Sequence, residues 1–149
     1  MKIFGILLIV IVTLFVSRLV IQNMTKPTHL GYKNGQLAPM PDKPNAVSSQ
    51  TDIVDKRVDP LPFKDNLEET VDTALTALIT MGSNELQVQE SHYIYTIFTT
   101  SGLHFHDDVE ILFDEEKQLV HFRSQSRAGH SDLGLNRERY EQFKALYNK

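Results

Sequence analysis

The chain predicts an α+β domain: a small three-stranded antiparallel sheet with two helices, in the order α-β-β-β-α, behind an N-terminal membrane helix and a proline-rich arm. Three observations carry this reading. Ile3 to Val16 is almost wholly apolar, and the run resumes after Ser17 and Arg18 with Leu19, Val20 and Ile21. All six prolines, from Pro27 to Pro62, fall between that run and the first credible helix. Folded as a hairpin, Asp107 to Arg127 sorts its apolar and charged side chains onto opposite faces.

The first element, residues 1–22, has about the length that spans a bilayer. A charged start and an apolar stretch would also suit a cleaved signal peptide. No Ala-x-Ala-like site follows, so an uncleaved signal anchor is the favoured expectation. With no cysteine in the chain, a lipoprotein anchor and any disulfide are excluded. Lys2 lies on one side of the segment and Arg18, Lys26 and Lys33 on the other, so the positive-inside rule gives no clean orientation. Basic residues number 15 against 19 acidic ones, a formal net charge of −4, which opposes general attraction to nucleic acid.

Residues 23–36 read as a spacer and 37–149 as a single domain, made of a proline-rich arm, 37–65, and a folded core, 66–149. The first core helix should start at Asn66, which can cap it with Glu69 three residues on, and end at Met81 before Gly82. Leu67, Val71, Ala74, Leu75 and Leu78 form its apolar stripe. Leu86 to Thr100, rich in Val, Ile, Tyr, Phe and Thr, predicts one strand, and Ser101-Gly102 turns it toward the next at Leu103 to Phe113. With a turn centred on Glu115 and Glu116, Val109 faces Phe122 and Ile111 faces Val120, while Asp108 faces Arg123 and Glu110 faces His121. Asn136 then caps a last helix whose apolar face is Tyr140, Phe143 and Tyr147. Both helices are expected on the apolar face of the sheet, leaving its charged face open.

Two constellations are candidates for chemistry. His104, His106 and His121 lie near Asp108 and Glu110, and alternate strand residues project the same way. Without a fixed third ligand the stronger reading is a solvated face of cross-strand pairs, so neither a metal nor a cofactor is expected. The second is the loop from strand to helix. Arg123 and Arg127 share a strand face, and Arg137 and Arg139 open a helix whose free N–H groups attract anions. Ser126, Asp132 and Asn136 add polar groups, while Gly129 and Gly134 let the backbone approach a ligand. These nine residues are the candidate binding site, suited to a phosphate or carboxylate group. The competing reading is that carboxylates of the hairpin and loop simply pair with these arginines. Ser124, Ser126 and Ser131 lie near His121 and His130 in sequence, but no Gly-x-Ser-x-Gly elbow exists, nor any P-loop, dinucleotide fingerprint or metalloprotease motif.

Two ordered motifs carry a family resemblance. Arg123-Ser124-x-Ser126-Arg127-x-Gly129-x-x-Asp132-x-Gly134-x-Asn136-Arg137-x-Arg139, preceded by Asp107-Asp108-Val109-Glu110, resembles the signature of the bacterial and plastid family known as domain of unknown function 1499. Pro41-Asp42-x-Pro44-Asn45-x-Val47-Ser48-Ser49-Gln50 resembles its N-terminal motif. The likeness runs from about Leu37 to the C-terminus and implies that the proline-rich stretch is partly an arm of the domain. Many relatives carry cysteines where this chain has Met40 and Ala46; if these form a disulfide there, the family domain sits in an oxidising space, which implies the periplasm. The expectation is therefore a single-pass inner-membrane protein with a periplasmic C-terminal domain. Its favoured role is non-enzymatic: binding an anionic small molecule, a lipid headgroup or an envelope protein. The alternatives are a hydrolase or metal-dependent enzyme using the charged face of the 104–127 hairpin, and a structural partner of another membrane protein.

Overall fold

A computed structural model describes residues 2–149. In chain order its elements are α1 (Lys2–Met24), β1 (Tyr32–Lys33), β2 (Gln36–Leu37), β3 (Ala46–Ser48), a 3₁₀ turn (Val54–Lys56), β4 (Leu61–Pro62), α2 (Leu67–Met81), β5 (Asn84–Gln89), β6 (Tyr93–Thr99), β7 (His106–Asp114), β8 (Leu119–Ser126) and α3 (Leu135–Tyr147). The 22 residues Ile3–Met24 of α1 are long and apolar enough to cross a membrane, a description that a signal sequence also meets. It runs two residues past the expected boundary, to Met24.

The α+β class holds, but the sheet has six antiparallel strands where three were expected. Two causes account for the difference. The run Leu86 to Thr100 conceals a tight turn at Ser91-His92, closed by Glu90 N–H donating to Tyr93 O at 2.8 Å. No glycine or proline marks it, so the β-rich composition continues straight through. The arm supplies the other two strands: β3 pairs with residues 123–125 of β8, and β4 with Leu119 and Val120. Pro62 sits on that outer edge, where a missing N–H costs no ladder bond.

Helix α2 begins and ends as its sequence dictates. Asn66 Oδ1 accepts from Glu69 N–H at 2.9 Å, and Gly82 closes the helix at φ +65°. In α3, the cap falls to Asp132 and not to Asn136. Asp132 accepts from Gly134 N–H at 3.1 Å and from Asn136 N–H at 2.8 Å, while Asn136 turns its side chain inward and is fully buried.

In the β7–β8 hairpin the expected faces are right and the partners are shifted by two residues. Glu110 pairs with Arg123, Ile111 with Phe122 and Leu112 with His121, because a four-residue loop is centred beyond Glu116. Asp114 sets that loop by accepting from Lys117 N–H at 3.0 Å and Lys117 Nζ at 2.8 Å. A two-residue shift leaves every side chain on its original face, since strand side chains alternate with period two.

Three layers result. On one face of the sheet, Ile94, Phe98, Val109, Ile111, Phe113, Val120 and Phe122 pack with Ala74, Ala77 and Leu78 of α2 and Tyr140, Phe143 and Tyr147 of α3. On the other, Tyr93, Tyr95 and Leu112 pack with Leu37 and with Leu30 of the segment expected as a spacer, so the arm as folded runs back through residues 23–36. The face expected to lie open is therefore covered by residues 23–37. Two tyrosines pin the arm's second half to α3: Tyr140 OH donates to Asp59 O and Tyr147 OH to Pro62 O, each at 2.8 Å. Burial pushes both phenols up to about 12.

Candidate functional site

The arginines and polar groups of the hairpin-to-helix region separate into two clusters on opposite faces of the sheet. On the arm side, the fully buried Glu110 carboxylate accepts from Arg123 Nη1 at 2.8 Å, Tyr93 OH at 2.7 Å and Gly31 N–H at 2.6 Å. Arg123, also fully buried, reaches Gln125 and lies 3.2 Å from His29 Nε2. One register step along, Asp108 accepts from Arg127 at 2.7 and 2.9 Å and from Tyr95 OH at 2.6 Å. Burial, followed by the nearby Glu110 charge, raises the Tyr93 phenol. Burial and the hydrogen bond to Asp108 do the same for Tyr95. The paired Asp108 carboxylate holds Arg127 more firmly protonated still.

On the helix side the hub is Asn136. Its amide donates to Asn45 O and Ser126 Oγ at 3.0 Å and to Asp132 Oδ2 at 2.8 Å. Its carbonyl oxygen accepts from Ser124 Oγ and from Arg139 Nη1, the latter at 2.7 Å. Arg139 Nη2 reaches the buried Asp107 at 2.6 Å, and its guanidinium lies 4.9 Å from the centre of the Phe98 ring. These contacts join the arm, β7, β8 and α3, and the Asn45 carbonyl that Asn136 holds lies 91 residues from it in sequence.

The nine candidate binding residues are thus distributed, not assembled. Arg123 and Arg127 lie under the arm, each engaged by a carboxylate; Ser126, Asn136 and Arg139 form the helix-side network. Gly129 is at φ +89°, with its carbonyl held by Lys43 Nζ at 3.2 Å. Asp132, Gly134 and Arg137 do come together, lining an open cavity of about 610 Å³ at the start of α3. Arg137 Nη2 donates there to Asp55 O and Arg57 O at 3.0 Å.

Around the same cavity are residues that sequence reasoning passed over. Leu133, at φ +55° in the left-handed region, is 96% exposed, and Ile53 is also exposed. Asp42 and Asp55 are exposed carboxylates on its lining. The available signal was the tripeptide Asp132-Leu133-Gly134, an apolar residue isolated in a loop between a cap and a glycine.

The histidines take separate places. His104 lies at φ +52° in the turn before β7, off the strand that was expected to aim it alongside His106. Among the described residues no cluster of three or more His, Asp or Glu side chains has a metal-binding arrangement. His121 points toward the arm, its Nδ1 3.2 Å from Ser49 Oγ. Asp114 Oδ2 stands 3.8 Å from Nε2, beyond hydrogen-bond length, and Nε2 has no partner. Burial holds the imidazole below its ordinary value. Ser49 Oγ accepts from Phe122 N–H at 3.0 Å, which leaves its hydroxyl proton free to point at Nδ1. Both side chains line a cavity of about 500 Å³ at the Lys117 end of the hairpin. Sequence reasoning had weighed only Ser124, Ser126 and Ser131, since Ser49 and His121 meet across 72 residues of chain.

Among curated proteins none matches this chain. A family model, described as Protein of unknown function (DUF1499), matches residues 36–146, which takes in the arm, the whole sheet and both packed helices. That match covers well over half of the chain, and the protein belongs to the DUF1499 family.

Proposed function

We propose that the chain is a membrane-anchored interaction module of the cell envelope, held in the inner membrane by α1 with its C-terminal domain in the periplasm, and that its partner is another envelope protein docking at the cavity beside α3. The observation that carries this is Leu133. A leucine held in left-handed backbone and 96% exposed is costly to a domain in water and is useful as an anchor for a partner's apolar pocket. Exposed Ile53 extends the apolar surface, and Asp42 and Asp55 are the exposed charges on its lining, Lys56 being buried and Arg137 half-buried. The matching partner surface is apolar with basic residues around it. An anionic ligand is less favoured: Arg123, Arg127 and Arg139 are committed to buried carboxylates, and Asp132 already occupies the amides that open α3.

The test is photocrosslinking in cells from a benzophenone side chain at position 133, with position 79, an exposed isoleucine on α2, as control. The reading expects a discrete protein adduct from 133, weakened when Asp42 and Asp55 are both changed to Lys. No adduct at 133, or the same adducts from both positions, would sink it.

A second reading, hydrolysis, is favoured by one constellation: Ser49 hydroxyl, His121 as base and Asp114 behind it. A fluorophosphonate probe that labels the parent chain but not Ser49→Ala would support it. Absence of labelling at neutral and mildly alkaline pH would remove it.

A further inference from the structure

We propose that the loop Thr100–Phe105 is a second membrane contact, with the side chain of Leu103 seated in the boundary between lipid headgroups and acyl chains, so that the domain rests on the bilayer in a fixed pose. This rests on the reading of α1 as a membrane anchor. At about 1.5 Å per residue, a 22-residue helix is about as long as a bilayer's hydrocarbon core is thick, which puts Asn23 at the hydrocarbon edge.

Asn23 is where the domain grips the helix. Its amide donates to His104 O at 2.9 Å and its side-chain oxygen accepts from His106 N–H at 2.7 Å. Its own carbonyl lies 3.1 Å from His106 Nδ1 and accepts from Arg127 Nη1 at 3.4 Å. A polar side chain at the end of an apolar helix is thereby buried and satisfied on both ends. Leu19 and Gln22, which share its side of the helix, are half-covered, while the residues between and before them are exposed. The domain therefore reaches back along the last turn of α1, into the depth of the bilayer surface.

Leu103 is one residue from the His104 carbonyl that Asn23 holds, so its backbone shares that depth. Its side chain is 77% exposed and flanked by Ser101 and His104, an apolar tip between polar shoulders. In water that exposure is uncompensated. Against a bilayer the leucine transfers into apolar surroundings while its polar neighbours stay with the headgroups. The pose also gives Arg127 a further role, since one guanidinium holds Asp108 of the sheet and the end of α1.

The chain contains no tryptophan, so single-tryptophan variants of the full-length protein report cleanly. In nanodiscs of phosphatidylethanolamine and phosphatidylglycerol, Leu103→Trp is compared with Leu14→Trp inside α1 and Ile79→Trp on α2. Lipids brominated at shallow or deep acyl positions serve as quenchers. The expected result is blue-shifted emission from Leu103→Trp with quenching strongest from the shallow position, and loss of that quenching when Asn23→Ala is added. Leu14→Trp should be quenched deep and Ile79→Trp not at all. If Leu103→Trp behaves like Ile79→Trp while Leu14→Trp is quenched, the anchor stands and the second contact is overturned. If Leu14→Trp also escapes quenching, it is the anchor itself that has failed, and the contact falls with it.

Discussion

Replacing Glu110 with Gln isolates the charge of one buried pair. Glu110 and Arg123 both have side chains with no solvent exposure, joined at 2.8 Å. Gln keeps the size of the side chain and an acceptor for Tyr93 OH and Gly31 N–H, so the main change is a guanidinium left without its counter-charge in a dry site. Breaking a buried pair from one side costs about 3–5 kcal/mol, a large part of the roughly 5–15 kcal/mol by which domains are stable. At about 4 °C per kcal/mol for a domain of this size, the melting temperature should fall by roughly 12 to 20 °C. The assay is thermal unfolding of the full chain in detergent, followed by the near-ultraviolet circular dichroism of the tyrosines, because α1 would keep a far-ultraviolet helical signal in the micelle. Adding Arg123→Met removes the stranded charge and should restore most of the loss, since a well-filled apolar replacement of a buried pair is often neutral. A loss under about 1 kcal/mol for Glu110→Gln, or a double variant less stable than the single one, would refute the claim that the arm seals this pair from water.

Three further outcomes are expected. Asn136→Ala strands the Arg139 and Ser124 donors and the Asn45 carbonyl, so urea unfolding should show a loss of at least about 2 kcal/mol; a loss under half that would mean water replaces the amide. Leu133→Asn should leave stability in the same urea unfolding unchanged or raise it by up to about 1 kcal/mol, since asparagine tolerates left-handed backbone; a clear loss would mean that Leu133 packs within the domain. His121 is held neutral by burial, so its folded pKa lies below the unfolded value of about 6.5 and the unfolded chain binds the extra proton first. Stability is then fully present above about pH 6.5 and falls as pH drops toward the depressed folded value; His121→Gln should flatten that slope in pH-dependent melts, and an unchanged slope would mean the imidazole is hydrated.

What could be read from the sequence was whatever depends on local period and caps. Asn66 and Gly82 bracket α2 because a cap and a left-handed stop act within a few residues. The two faces of the β7–β8 hairpin were legible because strand alternation survives a two-residue slip, although the pairing Glu110 with Arg123 was not. Ser91-His92 was hard to see as a turn because no glycine, proline or asparagine accompanies it and a lone serine is a weak mark. Strands β3 and β4 were hidden by proline-rich composition, since their pairing is set by the free edge of β8, 57 to 79 residues away. The arginine-rich loop was legible as a motif, but which acid each arginine meets depends on register and on the arm's cover.

That dependence bears on what the signature residues do for the domain. Arg123, Arg127 and Arg139 each meet a carboxylate from three nearly consecutive positions of β7, Glu110, Asp108 and Asp107. Asp107 points to the helices, while Asp108 and Glu110 point to the arm, so one short segment of strand fastens both outer layers to the sheet. Charge pairing of this kind adds little net stability over an apolar core, but it penalises any misdocked arm or helix by a stranded buried charge. The arm can therefore be proline-rich and poor in regular hydrogen bonds and still hold one position, and that position carries Asn23 to the loop at His104 and brings Ser49 to His121. Fixing the arm fixes the placement of α1 against the sheet, and under the proposed reading a partner is left the far rim around Leu133, away from Arg123, Arg127 and Arg139 and beside Arg137 alone of the four.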